Sequence, residues 1–224
     1  MLEELKVYAD LAYSNQNTIQ NTYDLAYQAI SNNIEGDFVE CGVAAGSQIG
    51  VMGHVCRKLN SNKKIYAYDS YQGIPLAGKN DTDQPGIGPT DPNRPLPLDE
   101  RELLVSSGIT VHSLSEVRNN IGRRWNLNLA QYEFIVGWFE DTVALNNIEK
   151  ISLLRLDGDL YSSTKVCLDN LHHKVQPGGF VIIDDYALDG ARKAVHEYFD
   201  KHGLDYKPIP VSPEIRDVHW YQVK

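Results

Sequence analysis

Two strings of carboxylates hold most of the chemistry open to this chain: Asp157 and Asp159 in Leu-Arg-Leu-Asp-Gly-Asp, and Asp184-Asp185 in Phe-Val-Ile-Ile-Asp-Asp-Tyr. Each follows an apolar, β-branched run, so each is expected at the tip of a buried strand. Side by side in a parallel sheet, the two tips would bring several acids to one crevice. Two like charges ~4 Å apart repel by roughly 4 kcal/mol at an effective dielectric near 20. A divalent cation relieves that repulsion, and all-oxygen donors suit Mg²⁺, Ca²⁺ or Mn²⁺ better than Zn²⁺. The bland alternative is that the acids cap the helices that follow them, or pair with Arg155 and Arg192.

The elements that must position these acids alternate between the two periodicities. Residues 1–35 have helical spacing, with Tyr13, Ile19, Tyr23, Leu25, Ala26 and Ile30 as apolar positions and Asn32-Asn33 as the stop. Strands are predicted at Phe38–Cys41, Lys64–Asp69, Phe134–Val136 and Ile151–Leu156, with a fifth running from Gly178-Gly179 to Ile183. Helices are predicted at Ser47–Leu59, Ser162–Val175 and Asp189–His202, and the segment around Val117–Arg124 reads as a surface helix. Two short strand-like runs, Asp205–Ile209 and Val218–Val223, follow, joined through Pro210 and Pro213. Alternation of this kind implies a parallel sheet covered on both faces, closed by an antiparallel hairpin at one edge.

One stretch breaks the alternation. Residues 73–97 are crowded with Gly, Pro and Asp and follow the second strand at the edge where ligands bind in open α/β sheets. A lid is the expectation there, with a disordered insertion as the alternative. A second chemical signal is the strand, glycine turn and helix start of Asp37-Phe-Val-Glu-Cys-Gly-Val-Ala-Ala-Gly-Ser. Gly42 and Gly46 let backbone approach a ligand, and Asp69 ends the next strand at the distance where an acid meets ribose hydroxyls. The spacing is not G-x-G-x-x-G, and Glu40 just before the turn suits a cationic or neutral ligand better than a pyrophosphate.

Composition narrows the classes. In 224 residues the hydrophobic share is 42% and the charged share 23%, the values of a globular chain. A formal net charge of -9 leaves no basic stripe for nucleic acid. The cysteines Cys41, Cys56 and Cys167 have no framework or zinc spacing and are expected reduced and buried. With neither an apolar leader nor a run near ~18 apolar residues, a cytoplasmic protein without membrane partners is expected. Among the histidines, His54 reads as a helix-face residue, His172-His173 as a favourable charge at a helix C-terminus, and His112 as an alternative base.

Several segments, in order, carry a family resemblance: Gly36-Asp-Phe-Val-Glu-Cys-Gly-Val, Tyr68-Asp-Ser-Tyr-Gln-Gly-Ile-Pro and Gly137-Trp-Phe-Glu-Asp-Thr. They continue with Leu156-Asp-Gly-Asp-Leu-Tyr-Ser-Ser-Thr, Pro177-Gly-Gly-Phe-Val-Ile-Ile-Asp-Asp-Tyr and the final His219-Trp-Tyr. Together these resemble class I S-adenosylmethionine-dependent methyltransferases, and more narrowly the macrocin O-methyltransferase (TylF-like) family. The resemblance implies a Rossmann-like, mostly parallel seven-stranded sheet with an antiparallel edge hairpin and helices on both faces. Residues 1–35 would form a helical segment before a methyltransferase domain spanning 36–224. It places Glu40, Gly42, Asp69 and Ser70 at the cofactor, with Asp69 on the ribose hydroxyls and Gly137-Trp138-Phe139 beside the adenine. Asp157 counts both with the cofactor residues and, beside Asp184 and Asp185, as a ligand of Mg²⁺ or Mn²⁺. Asp159 becomes the general base. If the strand stayed extended, Asp157 and Asp159 would point to opposite sides, with Gly158 permitting the turn. The implied acceptor is a small-molecule or glycan hydroxyl, such as that of a deoxysugar. The N-terminal helical region is expected either to cover the site or to form a homodimer contact.

The chain departs from that pattern in its glycine turn, Val-Ala-Ala-Gly-Ser, and in the loop after Pro75, so acceptor identity does not carry over. A metal-dependent glycosyltransferase holding a nucleotide-sugar through Asp-Gly-Asp, and a non-catalytic binding protein, stay open beside it.

Overall fold

The computed structural model describes residues 2–84, 100–145 and 147–224. Of the lid expected over 73–97, residues 85–97 lie outside this description. Seven strands form one sheet: β1 Asp37–Cys41, β2 Ile65–Asp69, β3 Tyr132–Val136, β4 Ile151–Leu156, β5 Val175–Ile183, β6 Ile209–Ser212 and β7 Ile215–Gln222. Their order is β3-β2-β1-β4-β5-β7-β6. The first five pair in parallel, and β7 runs antiparallel to both β5 and β6. The order reverses between β1 and β4, so a ligand crevice belongs outside the C-terminal ends of those strands.

The helices α1 Gln16–Ser31, α2 Ser47–Lys58, α3 Leu114–Asn119, α4 Tyr161–Leu171 and α5 Asp189–His202 cover the sheet. Alternation along the strands splits the core in two. Phe38, Leu153, Phe180 and Ile182 pack with Ile19 of α1 and Val51 of α2. Val39, Leu154, Val181 and Ile183 pack with Leu168 of α4 and Val195 of α5. The N-terminal residues Leu5 and Tyr8 are fully enclosed in the first of these cores.

Three expectations need correction. The helix ending at Val175 stops at Leu171, and β5 already starts at Val175. The glycines lie inside that strand, at a shift in register where Ile151 pairs Val175 but Leu153 pairs Phe180. Such an irregularity accommodates Gly178 at φ 84°. The strand expected over Asp205–Ile209 forms instead at Ile209–Ser212 and includes Pro210. As β6 lies at the edge of the sheet, the missing N–H of proline costs no ladder bond there. The segment read as a surface helix is half embedded, since Val117 and Ile121 are fully buried.

All three cysteines are free and buried, as expected. Among the described residues no helix is long and apolar enough to cross a membrane.

Candidate active site

The C-terminal ends of β1, β2, β4 and β5 open into a cavity of about 820 Å³ lined by Gly42, Asp69, Asp157, Asp159, Asp184 and Asp185. The expected convergence of acids therefore occurs. Oxygens of Asp157, Asp184 and Asp185 lie within 4.8 Å of one another, an arrangement that can hold a divalent ion.

Arg155 holds the floor together. It sits in register with Glu40 of β1, sandwiched between Leu154 and Leu156, and is 0% exposed. Its Nη1 donates to Glu40 at 2.7 Å and to Asp157 at 2.5 Å, and its Nη2 donates to Asp184. One guanidinium thus binds acids from three adjacent strands, so the pairing with Arg155 in the bland reading occurs. Arg192 takes no part, because it pairs with Asp189 and donates to the Ala187 carbonyl.

A single cation cannot neutralise all these carboxylates. Burial pushes Asp184 up to about 7, against the pull of Arg155, with Asp157 and Asp159 adding to the rise. Burial, then the neighbouring Asp157, brings Asp159 up to about 7. Asp185 is raised further by burial and by Asp159. The crevice is therefore short of positive charge, which suits a divalent ion or a sulfonium.

The chain turns at Gly158, so the condition of an extended strand through Asp159 is not met. β4 ends at Leu156, and Asp159 takes the left-handed conformation at φ 59°. Its N–H donates to Asp185 Oδ2 at 2.8 Å, which locks the turn to the next strand end. Asp is among the few residues that tolerate this region, so no alternation of faces operates here.

The glycine turn supplies the other end of the cleft. Gly42 has φ 93°, and a Cβ there would overlap the Asp157 carbonyl oxygen, so no other residue fits. Ala44 is also left-handed, at φ 46°, where a second glycine would sit without strain. Asp69 Oδ2 accepts from Val43 N at 2.7 Å, and its Oδ1 accepts from Tyr71 N at 2.6 Å. Those bonds fix the plane of the carboxylate while burial raises its pKa.

Ser70 and Trp138 line the cavity, whereas Glu40 and Gly137 stand behind it. Glu40 is enclosed beneath the floor, where burial pushes it up to about 8. Its Oε1 braces Arg155 from beneath the cavity. Gly137, at φ 145°, donates its N–H to the Asp69 carbonyl at 3.0 Å and so aims Trp138.

The histidine readings separate. His54 is buried beside Tyr8, with Nδ1 3.2 Å from its hydroxyl. His172 is buried, and desolvation lowers it to about 4, so it carries no charge for the helix dipole. His112 stands behind the cavity wall, its Nε2 3.0 Å from the Tyr13 hydroxyl.

Other wall residues are not among the site residues expected from the sequence, and Tyr13, expected at an apolar helix position, lies outside any helix. Tyr13, Ser14 and Asn15 close one side before α1, and Asp217 and Val218 come from β7. Asn15 also caps α1, accepting from Asn17 N at 2.8 Å, a cap whose sequence signature could have marked that wall.

Comparison with known proteins gives the family. The macrocin-O-methyltransferase (TylF) family model matches residues 10–215. A Streptomyces olivaceus relative, 8-demethyl-8-(2,3-dimethoxy-alpha-L-rhamnosyl)-tetracenomycin-C 4'-O-methyltransferase, is 36% identical over 176 residues. That match covers 78% of this chain and 62% of the relative, so this chain spans less than two thirds of that protein. Demethyldecarbamoylnovobiocin O-methyltransferase of Streptomyces niveus is 33% identical over 208 residues, covering 92% of this chain and 73% of the relative. The solved structure of the O-methyltransferase NovP superposes with a TM-score of 0.77 at 32% identity, over 93% of this chain and 80% of that one. With seven strands in this order and a family match over most of its length, the chain belongs to the macrocin O-methyltransferase (TylF) family.

Proposed function

We propose that this chain transfers the methyl group of S-adenosylmethionine to a sugar hydroxyl of a small-molecule glycoside, with a divalent ion, Mg²⁺ or Mn²⁺, at the acid cluster. The observation that carries the reading is Asp159, a carboxyl raised to about 7, beside an oxygen triad fit for a metal. The printed activities of the relatives, on a rhamnosyl tetracenomycin and a novobiocin precursor, support the acceptor class.

Asp69 holds the ribose hydroxyls in this reading, its carboxylate already fixed by three backbone N–H groups, those of Val43, Ala44 and Tyr71. Gly42 admits the cofactor against bare backbone, and Ser70 and Trp138 flank it. Asp157, Asp184 and Asp185 hold the ion. A divalent ion bound there lowers the pKa of a coordinated hydroxyl and orients it.

Asp159 then accepts the hydroxyl proton as the oxygen forms its bond to the methyl carbon. The carbon–sulfur bond breaks and S-adenosylhomocysteine departs. Burial disfavours the charged form of Asp159, so it takes up a proton more readily than an exposed aspartate would. Alignment supplies the rest, since orientation alone contributes on the order of 7–11 kcal/mol.

The test pairs thermal unfolding with turnover. S-adenosylhomocysteine at about 100 times its Kd stabilises by roughly 2.7 kcal/mol, several degrees in Tm for a domain of this size. Labelled S-adenosylmethionine with a panel of rhamnosyl and related deoxysugar glycosides, with Mg²⁺ or with EDTA, reads the transfer. A Tm indifferent to S-adenosylhomocysteine would refute the cofactor, and full turnover in EDTA would refute the ion.

A further inference from the structure

We propose that Asp81 and Asp83 are positioning residues that hold the two acid-bearing turns in place from outside; as a role in catalysis this rests on the methyltransferase reading above. The argument begins with a shared defect of two helices. The four acids of the crevice that follow β4 and β5 all lie in the short turns leading into α4 and α5. Each helix begins after a leucine, Leu160 for α4 and Leu188 for α5, and neither leucine side chain can cap it. The first backbone N–H groups of a helix need acceptors, and Ser, Thr, Asp or Asn normally supply them from the N-cap position itself.

Here the acceptors come from a strap some eighty to a hundred residues earlier in the chain. Asp81 Oδ1 accepts from the N–H of Tyr161, the first residue of α4, at 2.7 Å. Asp83 Oδ2 accepts from the N–H of Asp189, the first residue of α5, at 2.9 Å. Thr82, between them, donates its hydroxyl to Asp189 Oδ2 at 3.1 Å. The three consecutive residues Asp81-Thr82-Asp83 thus grip both helix starts at once.

The grip is built rather than incidental. Asp81 is 7% exposed, and its Oδ2 accepts from Gly78 N at 2.9 Å, which closes a tight turn in the strap. Gly190, in the first turn of α5, makes room for it, since a Cβ there would collide with Asp81 Oδ1. Asp81 therefore touches both helices. The strap is anchored in its turn by Leu76 N donating to the Leu103 carbonyl at 3.0 Å and by Ile74 N donating to the Ile109 carbonyl at 3.0 Å. From Tyr161 the chain leads back through Leu160 directly to the left-handed Asp159, whose own N–H is tied to Asp185. Loosening the start of α4 thus frees the one residue proposed as base, while Asp69, two strands away on β2, keeps its own bonds to Val43, Ala44 and Tyr71.

The test compares Asp81→Ala, Asp81→Asn and Ser113→Ala. Ser113 caps α3 in a capping box, away from the acid cluster, and controls for the loss of a helix cap as such. For Asp81→Ala the expectation is a kcat at least about tenfold lower on the best glycoside of the panel, with affinity for S-adenosylhomocysteine unchanged. Amide hydrogen exchange over 157–164 should quicken about fivefold. Asp81→Asn keeps an acceptor for Tyr161 N and should recover most of kcat. Ser113→Ala should lower Tm with kcat unchanged.

A wild-type kcat in Asp81→Ala, or kcat and cofactor affinity falling together, overturns the proposal. Should Asp81→Ala not accumulate as folded protein, Asp83→Ala carries the test, with a smaller loss of kcat and faster exchange over 187–192. No change in either overturns it too. Exchange separates this idea from the one it rests on. Faster exchange in a protein that binds no S-adenosylhomocysteine sinks the methyltransferase reading and leaves the strap's grip standing. Cofactor binding with unchanged exchange sinks the grip alone.

Discussion

Asp159 combines a left-handed backbone, at a cost of roughly 1–2 kcal/mol for an ordinary residue, with a carboxyl raised to about 7. Strain of this kind persists where the surroundings enforce it, and here Asp185 does so through one hydrogen bond. Asp159→Asn removes the base but keeps a residue that tolerates the conformation. Its rate is expected to fall by about 10²–10⁴-fold with cofactor affinity intact, measured by single-turnover methyl transfer. Arg155 works in the opposite sense, as the fixed positive charge that lets Glu40, Asp157 and Asp184 coexist. Arg155→Met leaves those acids without their cation, and urea unfolding is expected to show a loss of about 3–5 kcal/mol. The carboxylates themselves were legible because they end β-branched runs. The arginine was legible only as a possible partner, since nothing in Leu-Leu-Arg-Leu says how many acids will face it.

At the scale of elements, the parallel strands could be read from the sequence because buried strands are nearly continuous in apolar residues. Pro210 misled because its tolerance depends on β6 being an edge, and edge position is a property of the whole sheet. The helix starts were read to within a residue, at Tyr161 for a predicted Ser162 and at Asp189 as predicted, but what caps them was not. A cap is recognised in sequence only when it is local, and Asp81 and Asp83 reach theirs across the fold. The glycine turn was correctly read as a place of close approach, although the approach is first of all to the chain's own Asp157 carbonyl. Gly42→Ala should therefore destabilise by about 2 kcal/mol or more, and calorimetry should find cofactor binding lost in whatever folds.

For the whole molecule, the unbalanced acid cluster makes stability depend on pH and on metal together. Asp184 and Asp159 rise from 3.8 to about 7, and Glu40 rises from 4.5 to about 8. Groups raised on folding contribute stability that is complete below their unfolded values and is lost as pH climbs through the folded ones. In EDTA, Tm is expected to fall as pH rises from about 4 to about 8, with Mg²⁺ restoring it most at the upper end. A flat profile with no response to Mg²⁺ would remove the cluster as an ion site.

The order of the sheet also sets a schedule for the ribosome. β7 lies between β5 and β6, so β6 emerges before the strand that must join it to the sheet. Asp217, which lines the cleft along with Tyr13, emerges with β7. A nascent chain that has already displayed every acid of β4 and β5 still lacks an enclosed cleft. The contribution of β7 to the cleft wall thus waits until it is threaded between β5 and β6.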